Sequence, residues 1–476
     1  MGQDYDLICI GSGPAGRRGA IQAAKLGKRV AVIEQGRIVG GTCVETGTIP
    51  SKTFREAVMN FLRVRNSGRR RGRGDVRPAA KDLLKHVSDV VERETDTLEQ
   101  QLHRNHVDLY HGRAAFTDAH SIVVHERART ERLRAANVLI ACGTAPAPPP
   151  DVEADGKVVI TSDQVCDLQS LPRTMAVVGG GVIGIEYASM FAALGVEVTL
   201  IDKRERPLEF LDREIVDELI YQMRSANVTF RLGEGVEHIE ITRTEPRRAA
   251  ITLESGKHIV TDLLLFSVGR IGCTRELNIA AAGLNADERG RLTVDPEFRT
   301  AVPHIYAAGD VIGYPALAAT SAEQGRLAAC YAFGVSNDGM AEHFPIGIYA
   351  IPEVSMTGAT EQELTKARVP YETGVARYRE IARGSIVGDE SGFFKMLFHR
   401  DSRRLLGVHI IGTGATELLH IGQAVLKLGG GLDYFLQTVF NYPTLAECYK
   451  VAALDAYNKL SICTSVSESG VLRRAG

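Results

Sequence analysis

The sequence has no long apolar run, almost no net charge and no close pair of cysteines. No uninterrupted apolar stretch among its 476 residues reaches the roughly 18 residues that a membrane-spanning helix needs. The N-terminus shows no basic segment followed by an apolar one, so we expect no secretory signal. The formal net charge of −2 gives no electrostatic reason to expect nucleic acid or an anionic membrane as a partner.

Cysteine is scarce and scattered. The eight cysteines stand at positions 9, 43, 142, 166, 273, 330, 448 and 463. No two of them have the spacing of a disulfide framework or of a zinc site, so we expect neither a structural disulfide nor a bound metal. This distribution is typical of a protein kept thiol-reduced, and it predicts a cytoplasmic location.

The composition that is present is ordinary for a globular protein. Apolar residues make up 44% of the chain and charged residues 24%, which is enough to form several hydrophobic cores at this length. At roughly 150 residues per domain, the length suggests about three domains.

Two segments repeat one pattern of strand, glycine turn, helix and second strand. The first is DLICIGSGPAGRRGAIQAAKLGKRVAVIE, and the second, from Met175, is MAVVGGGVIGIEYASMFAALGVEVTLID. Each contains a Gly-x-Gly-x-x-Gly motif and then an acidic residue, at the same distance from the first motif glycine: Gly11, Gly13, Gly16 and Glu34 in one, and Gly179, Gly181, Gly184 and Asp202 in the other. The glycines allow a tight turn, approach of the backbone to a pyrophosphate, and close packing of helix on strand. The acidic residue accepts hydrogen bonds from ribose hydroxyls. The sequence therefore predicts two dinucleotide-binding units.

Other stretches mark the organisation between and after these units. Apolar residues at helical spacing predict a helix over roughly 80–105. The stretch 63–77 carries seven arginines and is either a patch for phosphate or polyanions or, as we favour, a solvated loop. The Pro-rich segment 145–151 predicts a stiff connector. The polar stretch 461–476 lacks periodicity and predicts a loose tail.

These motifs together resemble the pyridine nucleotide–disulfide oxidoreductases, flavoproteins with two dinucleotide-binding domains. The first glycine unit is similar to the FAD site of that family, and TAVPHIYAAGDVIG at 300–313 to its second FAD motif. The resemblance implies that Asp310 binds the flavin ribityl chain or a nearby phosphate. It also implies that Gly143, in VLIACGTAP, lies at the FAD site and that Gly269 lies at the NAD(P) site.

The resemblance implies an α/β fold with two Rossmann-like domains and a C-terminal mixed α/β dimerisation domain. The FAD domain would be discontinuous and comprise 1–150 and 272–345. The NAD(P) domain would cover 151–271, and the dimerisation domain 346–460. A homodimer or a higher homo-oligomer follows from the same resemblance.

Within the family, the chain is most similar to the soluble pyridine nucleotide transhydrogenases. In GGTCVETGTIPSK, Thr48 stands where a disulfide reductase has the second cysteine of its redox pair with Cys43. In FNYPTLAECYKVAAL, Tyr442 stands where a reductase has a histidine. Threonine cannot form a disulfide, and tyrosine, with a pKa of about 10, is a poor base near neutral pH. We therefore expect NAD(H) and NADP(H) to exchange a hydride through FAD in a ping-pong reaction.

Two further site residues follow from the resemblance. Lys52 would lie by the flavin and pair with Glu186, placing a positive charge where the reduced ring is stabilised; the alternative is an ordinary surface ion pair. Cys43 and Thr48 would lie near the flavin, with Cys43 either a packing residue or an oxidation-sensitive thiol. His409 and His420 are interpreted as core or interface residues.

The NAD(P) site has to hold two different nucleotides. Asp202 is placed to bind the free ribose hydroxyls of NAD, and Lys203 and Arg204 follow directly. An arginine can bind a 2′-phosphate through charge-assisted bonds, so Arg204 is the predicted NADP contact. The alternative is a solvated turn in which only Asp202 touches the ligand.

Two rival functions remain open. One is an NAD(P)H diaphorase or quinone reductase of the same family, which differs only in its electron acceptor. The other is a catalytically silent flavin-binding subunit, against which the complete glycine motifs, Lys52 and Glu186 argue.

Overall fold

A computed structural model describes residues 3–69, 78–126 and 129–472, with backbone only for 3, 66–69 and 461–472. The strands of these residues are β1 (Gln3–Ile10), β2 (Val30–Glu34), β3 (Asp108–His111), β4 (Arg113–Asp118), β5 (Ser121–His125), β6 (Thr130–Ile140), β7 (Thr144–Pro146), β8 (Val159–Thr161), β9 (Thr174–Val178), β10 (Glu197–Asp202), β11 (Val228–Leu232), β12 (Val236–Ile241), β13 (Ala249–Leu253), β14 (His258–Thr261), β15 (Leu263–Phe266), β16 (Arg270–Gly272), β17 (Ile305–Ala307), β18 (Ile346–Ile348), β19 (Val354–Gly358), β20 (Tyr371–Arg377), β21 (Phe393–His399) and β22 (Leu405–Ile411).

The α-helices are α1 (Pro14–Lys25), α2 (Thr42–Glu45), α3 (Thr48–Arg69), α4 (Ala80–Arg104), α5 (Val182–Ala193), α6 (Arg213–Ser225), α7 (Ala318–Ala332), α8 (Glu361–Lys366), α9 (Ala382–Val387), α10 (Ala415–Lys427), α11 (Leu432–Gln437) and α12 (Glu447–Leu472). Within the described ranges, no helix is both long enough and apolar enough to cross a membrane.

The described residues form two compact units. The first consists of residues 1–179 and 237–341, and the second of residues 180–236 and 342–476. The segment predicted as the NAD(P) domain, 151–271, is thus shared between the two units, and the predicted domain limits stay predictions.

The first unit contains a mostly parallel sheet of strand order β3-β2-β1-β6-β5-β4, with β17 also paired to β6. Successive residues of β1 and β2 are buried in two different core clusters, one on each face of the sheet. A parallel sheet covered on both faces is the layout of a doubly wound domain. Since β17 is parallel to β6, the sheet joins chain segments from both predicted parts of the FAD domain. The unit also contains the parallel strands β8, β15 and β9 and the antiparallel ribbon of β7 and β16.

The second unit contains the parallel strands β10 and β11 with helices α5 and α6. It also contains an antiparallel sheet of order β18-β19-β22-β21-β20. Phe394, Ile410 and Tyr449 belong to the core that this sheet forms with α10 and α12.

The backbone confirms one sequence expectation and differs from two others. Helix α4 begins at Ala80 and ends at Arg104, as the periodicity predicts. The arginine-rich stretch is helical from 63 to 69 as the end of α3, because arginine is a good helix former; its residues 70–77 lie outside the described residues. The expected loose tail is helical through Leu472, because a helix already formed adds residues at little cost.

Candidate functional site

The first glycine loop lies at the carboxyl end of β1. Gly11 has φ +105°, and a Cβ on it would come within 2.3 Å of the Ala141 carbonyl oxygen. A Cβ on Gly16 would lie 1.9 Å from the Gly11 carbonyl oxygen, so both positions require glycine. Gly13 is the N-cap of α1, and no side chain caps this helix end. The first turn of α1 therefore presents free backbone N–H groups, which are suited to a phosphate.

Glu34 ends β2 and fixes the shape of this loop. Its Oε2 accepts hydrogen bonds from Ser12 N at 2.8 Å and from Ser12 Oγ at 2.5 Å. Its Oε1 accepts one from Gly36 N at 2.6 Å, and Ser12 Oγ accepts one from Gly40 N at 2.8 Å. A carboxylate has about four acceptor positions, so Glu34 can hold the loop and still accept from a ribose hydroxyl.

Asp310 and Gly143 follow the ends of two neighbouring strands of the same sheet. Asp310 comes after β17, and its carboxylate accepts long hydrogen bonds, both 3.4 Å, from Thr144 Oγ1 and Ser321 Oγ. Gly143 comes after β6 with φ +65°, and no atom lies within 4 Å of a Cβ built on it. Carboxyl ends of parallel strands are the usual place for ligands in such sheets.

The stretch GGTCVETGTIPSK forms α2 and the start of α3. Cys43 is a free, half-buried thiol. Burial raises its pKa, while a hydrogen bond with Thr48 and the charges of Arg17 and Lys52 oppose that shift. Lys52 lies one turn after Thr48 and donates a hydrogen bond to Ser51 Oγ at 3.3 Å. The structure thus brings the predicted residues Cys43, Thr48 and Lys52 together in one unit.

The second glycine loop repeats the geometry of the first. Gly179 follows β9 with φ +108°, Gly181 is the N-cap of α5, and Gly184 is buried in that helix. As in α1, no side chain caps the helix, and its first turn holds no acidic residue. Gly269, after β15, has φ +134°, and no atom lies within 4 Å of a Cβ built on it.

The carboxylate of Asp202, the last residue of β10, forms a bidentate ion pair with the guanidinium of Arg204. Arg204 Nη2 donates to Asp202 Oδ2 at 2.7 Å, and Arg204 Nε donates to Oδ1 at 2.9 Å. The backbone N–H groups of Arg204 and Gly180 donate to the same carboxylate. Burial raises the pKa of Asp202, but the bonds from Arg204 and Gly180 outweigh it and lower the pKa below its ordinary value. Lys203 is exposed beside this pair.

Glu186 is buried in α5 of the second unit, and its Oε1 accepts a hydrogen bond from Tyr349 N at 2.8 Å. Lys52 belongs to the first unit, so the predicted pairing of Lys52 with Glu186 stays a prediction. The roles of the other predicted FAD and NAD(P) contacts also stay predictions.

Tyr442 and the two histidines occupy different environments in the second unit. Tyr442 is 68% exposed. His409 is fully buried, and its Nε2 donates to the Ala359 carbonyl oxygen at 2.9 Å. His420 is exposed and contacts Gln423. The buried position of His409 agrees with its interpretation as a core residue.

Sequence reasoning missed two residues at these loops. Ser12, the variable residue of the first glycine motif, links Glu34 to Gly40. Arg17, in the first two turns of α1, donates through Nη1 to Gln101 Oε1 at 2.7 Å. A serine inside a glycine motif is a detectable signal, whereas the surroundings of Arg17 depend on α4, which lies more than 60 residues away in the sequence.

Comparison with known proteins identifies the family. Residues 5–325 match the family model "Pyridine nucleotide-disulphide oxidoreductase". Residues 344–453 match the dimerisation domain of the same family.

Named relatives are similar to this chain over nearly its whole length. A protein of Mycobacterium tuberculosis named "Soluble pyridine nucleotide transhydrogenase" is 52% identical over 96% of this chain and 98% of its own length. One of the same name from Colwellia psychrerythraea is 42% identical over 96% and 99%.

Solved structures show the same fold in this family. LpdA of Mycobacterium tuberculosis has a TM-score of 0.86 at 26% identity, covering 95% of this chain and 99% of its own. The HOCl-induced flavoprotein disulfide reductase RclA of Escherichia coli has a TM-score of 0.84 at 26% identity, covering 94% and 99%. The chain therefore belongs to the pyridine nucleotide–disulphide oxidoreductase family and is an oxidoreductase similar over its full length to soluble pyridine nucleotide transhydrogenases.

Proposed function

We propose that this chain catalyses NADPH + NAD⁺ ⇌ NADP⁺ + NADH, with FAD as the carrier and without a redox-active disulfide. The observation that carries the proposal is the contact between Thr48 and Cys43. At the place where a disulfide reductase would hold its second sulfur, this chain has the Thr48 hydroxyl beside a free Cys43 thiol.

The residues of the first unit fit FAD. The uncapped start of α1 offers N–H groups to a pyrophosphate, and Gly13 allows close approach because no atom lies nearer than 4.0 Å to a Cβ built on it. Glu34 would hold a ribose, and Asp310 the ribityl chain or an adjacent phosphate. When bound, FAD supplies a carrier that takes a hydride from one nicotinamide and gives it to another.

The residues at these positions leave no route for electrons from the flavin to a substrate disulfide. Thiol–disulfide exchange needs a thiolate and a second sulfur. Burial of Cys43 favours its protonated thiol, Thr48 provides no sulfur, and Tyr442 provides no histidine base. Both nucleotides must therefore use the nicotinamide site in turn, and ping-pong kinetics follow.

The second glycine loop would hold the exchanging nucleotides. Gly179, Gly181 and Gly184 would place the pyrophosphate at the start of α5, and Gly269 would line the site. Asp202 would serve the ribose of NAD(H), and Arg204, assisted by the exposed Lys203, the 2′-phosphate of NADP(H).

The assembly we propose is a cytoplasmic homodimer. The match to a dimerisation domain supports it, as does the exposure of Leu428 and Val439, which are 86% and 91% accessible in the isolated chain.

The test measures hydride transfer from NADPH to an NAD⁺ analogue with a distinct absorbance, beside reduction of a quinone and of lipoamide by the same preparation. We expect transfer with parallel double-reciprocal plots and no lipoamide reduction. Faster quinone reduction than nucleotide exchange would favour the diaphorase alternative. Purified protein that takes up FAD but is not bleached at about 450 nm by NADPH would instead be a silent subunit.

A further inference from the structure

Arg270, the first residue of β16, binds two oxygen atoms of one residue on the neighbouring strand β7. Its Nε donates a hydrogen bond to Thr144 Oγ1 at 2.8 Å, and its Nη2 donates to the Thr144 carbonyl oxygen at 2.6 Å. The third nitrogen, Nη1, donates to Asp163 Oδ1 at 3.2 Å, and this carboxylate balances the charge. The guanidinium is thus fixed at three points, and the side chain of Arg270 is only 18% exposed.

These bonds determine the direction of the Thr144 hydroxyl proton. A guanidinium only donates hydrogen bonds, so Thr144 Oγ1 is the acceptor towards Arg270, and its own hydrogen points away from the guanidinium. Thr144 is buried, and a buried hydroxyl group needs an acceptor for that hydrogen. Asp310 Oδ2 provides one at 3.4 Å. Ser321 Oγ donates to the other carboxylate oxygen, Oδ1, at 3.4 Å, so one hydroxyl group faces each oxygen of Asp310.

Asp310 lies next to the start of α1. The residue before it, Gly309, has φ +84°, and a Cβ built on Gly309 would lie 3.2 Å from the Ala15 Cβ in the first turn of that helix. The Gly309 N–H group donates to Gln324 Oε1 at 2.9 Å, which fixes the backbone at this point. A carboxylate has about four acceptor positions, and the two hydroxyl groups occupy two of them. The partly exposed Asp310 can therefore accept further hydrogen bonds from a ligand at this end of the sheet.

We propose that Arg270 is a positioning residue of the FAD site, which orients the Asp310 carboxylate through the Thr144 hydroxyl group. The proposal rests on the FAD binding of the proposed function, in which Asp310 contacts the flavin nucleotide. With the Thr144 proton directed to Oδ2, the carboxylate keeps one orientation, and its remaining acceptor positions are aligned before the ligand arrives. Arginine suits this position because its planar donors bind Oγ1 and the carbonyl oxygen at once, whereas a lysine ammonium is a compact point charge.

The first test titrates deflavinated protein with FAD and follows the quenching of flavin fluorescence. Thr144→Val removes the hydroxyl group but keeps the shape of the side chain. It should weaken FAD binding about tenfold, the low end of the range for a hydrogen bond to a charged group, because this bond is long. Thr144→Ser retains a hydroxyl group and should recover most of that loss. Wild-type affinity in Thr144→Val, or an equal loss in Thr144→Ser, would overturn the proposal.

The second test asks whether Arg270 acts through Thr144. Arg270→Lys, which retains the charge, should weaken FAD binding about tenfold in the wild-type background. In the Thr144→Val background it should weaken binding by less than about twofold, because the hydroxyl group that Arg270 orients is then absent. An arginine with a merely structural role would weaken binding by the same factor in both backgrounds, and that result would overturn the proposal. Arg275→Lys, at an exposed position of the same unit, is the control and should match the wild type.

The same cycle with Asp310→Asn keeps the proposal testable if Thr144→Val fails to fold. Asparagine has the shape of aspartate but only one acceptor oxygen, so Arg270→Lys should have little further effect on FAD affinity in this background. An undiminished effect of Arg270→Lys in Asp310→Asn would contradict the proposed route through Asp310. Wild-type protein that binds no FAD would instead contradict the proposed function itself.

Discussion

At the scale of single residues, the ion pair of Asp202 and Arg204 changes how nucleotide selection has to work. The guanidinium already covers both carboxylate oxygens, so neither charge faces an incoming nucleotide alone. In the proposed site, NADP(H) would have to draw Arg204 from Asp202 onto the 2′-phosphate, whereas NAD(H) would have to bring its hydroxyls to a carboxylate that is already bonded. The pair thus lessens the repulsion that Asp202 would exert on a phosphate.

We expect Arg204→Ala to weaken NADP(H) binding about tenfold to a hundredfold, since a charged hydrogen bond contributes about 1.5–3 kcal/mol. NAD(H) binding should change little, and Asp202→Ala should chiefly weaken NAD(H). Arg206→Ala is the control, because Arg206 is paired with Asp217 instead. Dissociation constants for both nucleotides on all three variants provide the test. Unchanged NADP(H) affinity in Arg204→Ala would place the phosphate contact elsewhere.

Lys52 is the second residue whose role a single substitution can decide. We expect Lys52→Met to retain FAD but to slow flavin reduction by NADPH on the order of 10²-fold, as other losses of an oriented charge do. Rapid mixing with absorbance at about 450 nm measures the rate, and the same absorbance at rest measures FAD occupancy. Lys85→Met, on the exposed face of α4, should match the wild type. A wild-type rate in Lys52→Met would make Lys52 a structural residue.

The residues that sequence predicts well are those fixed by local backbone geometry. Gly11 and Gly179 have the positive φ angles that a tight strand-to-helix turn requires. The bond from Arg204 to Asp202 was not predicted, because sequence spacing does not determine which rotamer an arginine adopts. The buried Nε of Arg17 could not be predicted either, since its burial depends on a distant helix.

At the scale of elements, the Lys395 side chain of β21 forms ion pairs with acidic residues at the N-terminal ends of two helices. It is fully buried and donates to Asp212 at 3.0 Å, to Glu214 at 2.7 Å and to Glu361 at 2.5 Å. Asp212 is the N-cap of α6, and Glu361 is the first residue of α8. These carboxylates form a three-acid group, and the lysine ammonium is the cation that neutralises it.

Lys395→Met should lower the free energy of unfolding by about 3–5 kcal/mol, the usual cost of removing one partner from a buried ion pair. The fully buried Asp212 would then lack its cation. Urea unfolding followed by circular dichroism measures the change. Lys427→Met, an exposed lysine at the end of α10, should stay within about 0.5 kcal/mol of the wild type. A similarly small change in Lys395→Met would contradict the stabilising role of this cluster.

His409 lies on β22 opposite Lys395 and makes the same region sensitive to acid. Burial lowers the pKa of His409; Asp212 and Glu363 oppose this, while Lys395 adds to it. Its Nδ1 is buried without a hydrogen-bond partner among the described residues, so a proton there would have no acceptor.

A lowered pKa in the folded state means that the unfolded chain binds the proton first as the pH falls. The contribution of His409 to the free energy of unfolding should therefore be fully present above its unfolded-state pKa of about 6.5. It should decrease as the pH falls below that value. The contribution of His409 should reach up to about 1.4 kcal/mol per pH unit. His409→Gln should flatten the slope of unfolding free energy between pH 7 and 5, whereas His420→Gln, on the surface, should not. An unaltered slope in His409→Gln would exclude His409 as the source.

Secondary-structure elements can be predicted from the sequence where hydrophobic periodicity is strong. Prediction is poorer where tertiary contacts determine the conformation or burial of a segment. Helix α4 was predicted because its apolar residues recur at helical spacing. The burial of Lys395 in β21 could not be predicted, because its three acidic partners come from other elements. The helical end of α12 was mistaken for a loose tail, because helix continuation leaves no apolar period to detect.

At the scale of the whole molecule, exposed apolar side chains of the second unit indicate contact with a second copy. Leu428 and Tyr434 are exposed and, together with the partly buried Ile421 and the buried Val425, line a cleft of about 320 Å³. Large exposed apolar patches of this kind mark interaction surfaces, and the dimerisation-domain match covers all four residues.

We expect Leu428→Glu to shift the protein from dimer to monomer, because a charge on this surface would be buried without a partner. Leu428 is largely exposed in the single chain, so folding of the monomer should be unaffected. Light scattering coupled to size exclusion measures the mass. Val260→Glu places the same charge on β14, outside the matched dimerisation domain, and should remain dimeric. A Leu428→Glu protein that stays dimeric would contradict the assignment of this surface.

The bidentate ion pair of Asp202 and Arg204 has a consequence for the residence time of a nucleotide bound at this site. In the proposed site, each nucleotide would gain its ribose contact only by giving up part of the Asp202–Arg204 pair, so the net gain on binding would be smaller than the new bonds suggest. We expect dissociation from this proposed site to be correspondingly faster, and more alike for the two nucleotides, than from a site with one unpaired charge. In the proposed ping-pong reaction, in which the product and the next substrate use one site, short and matched residence times would keep the first from blocking the second.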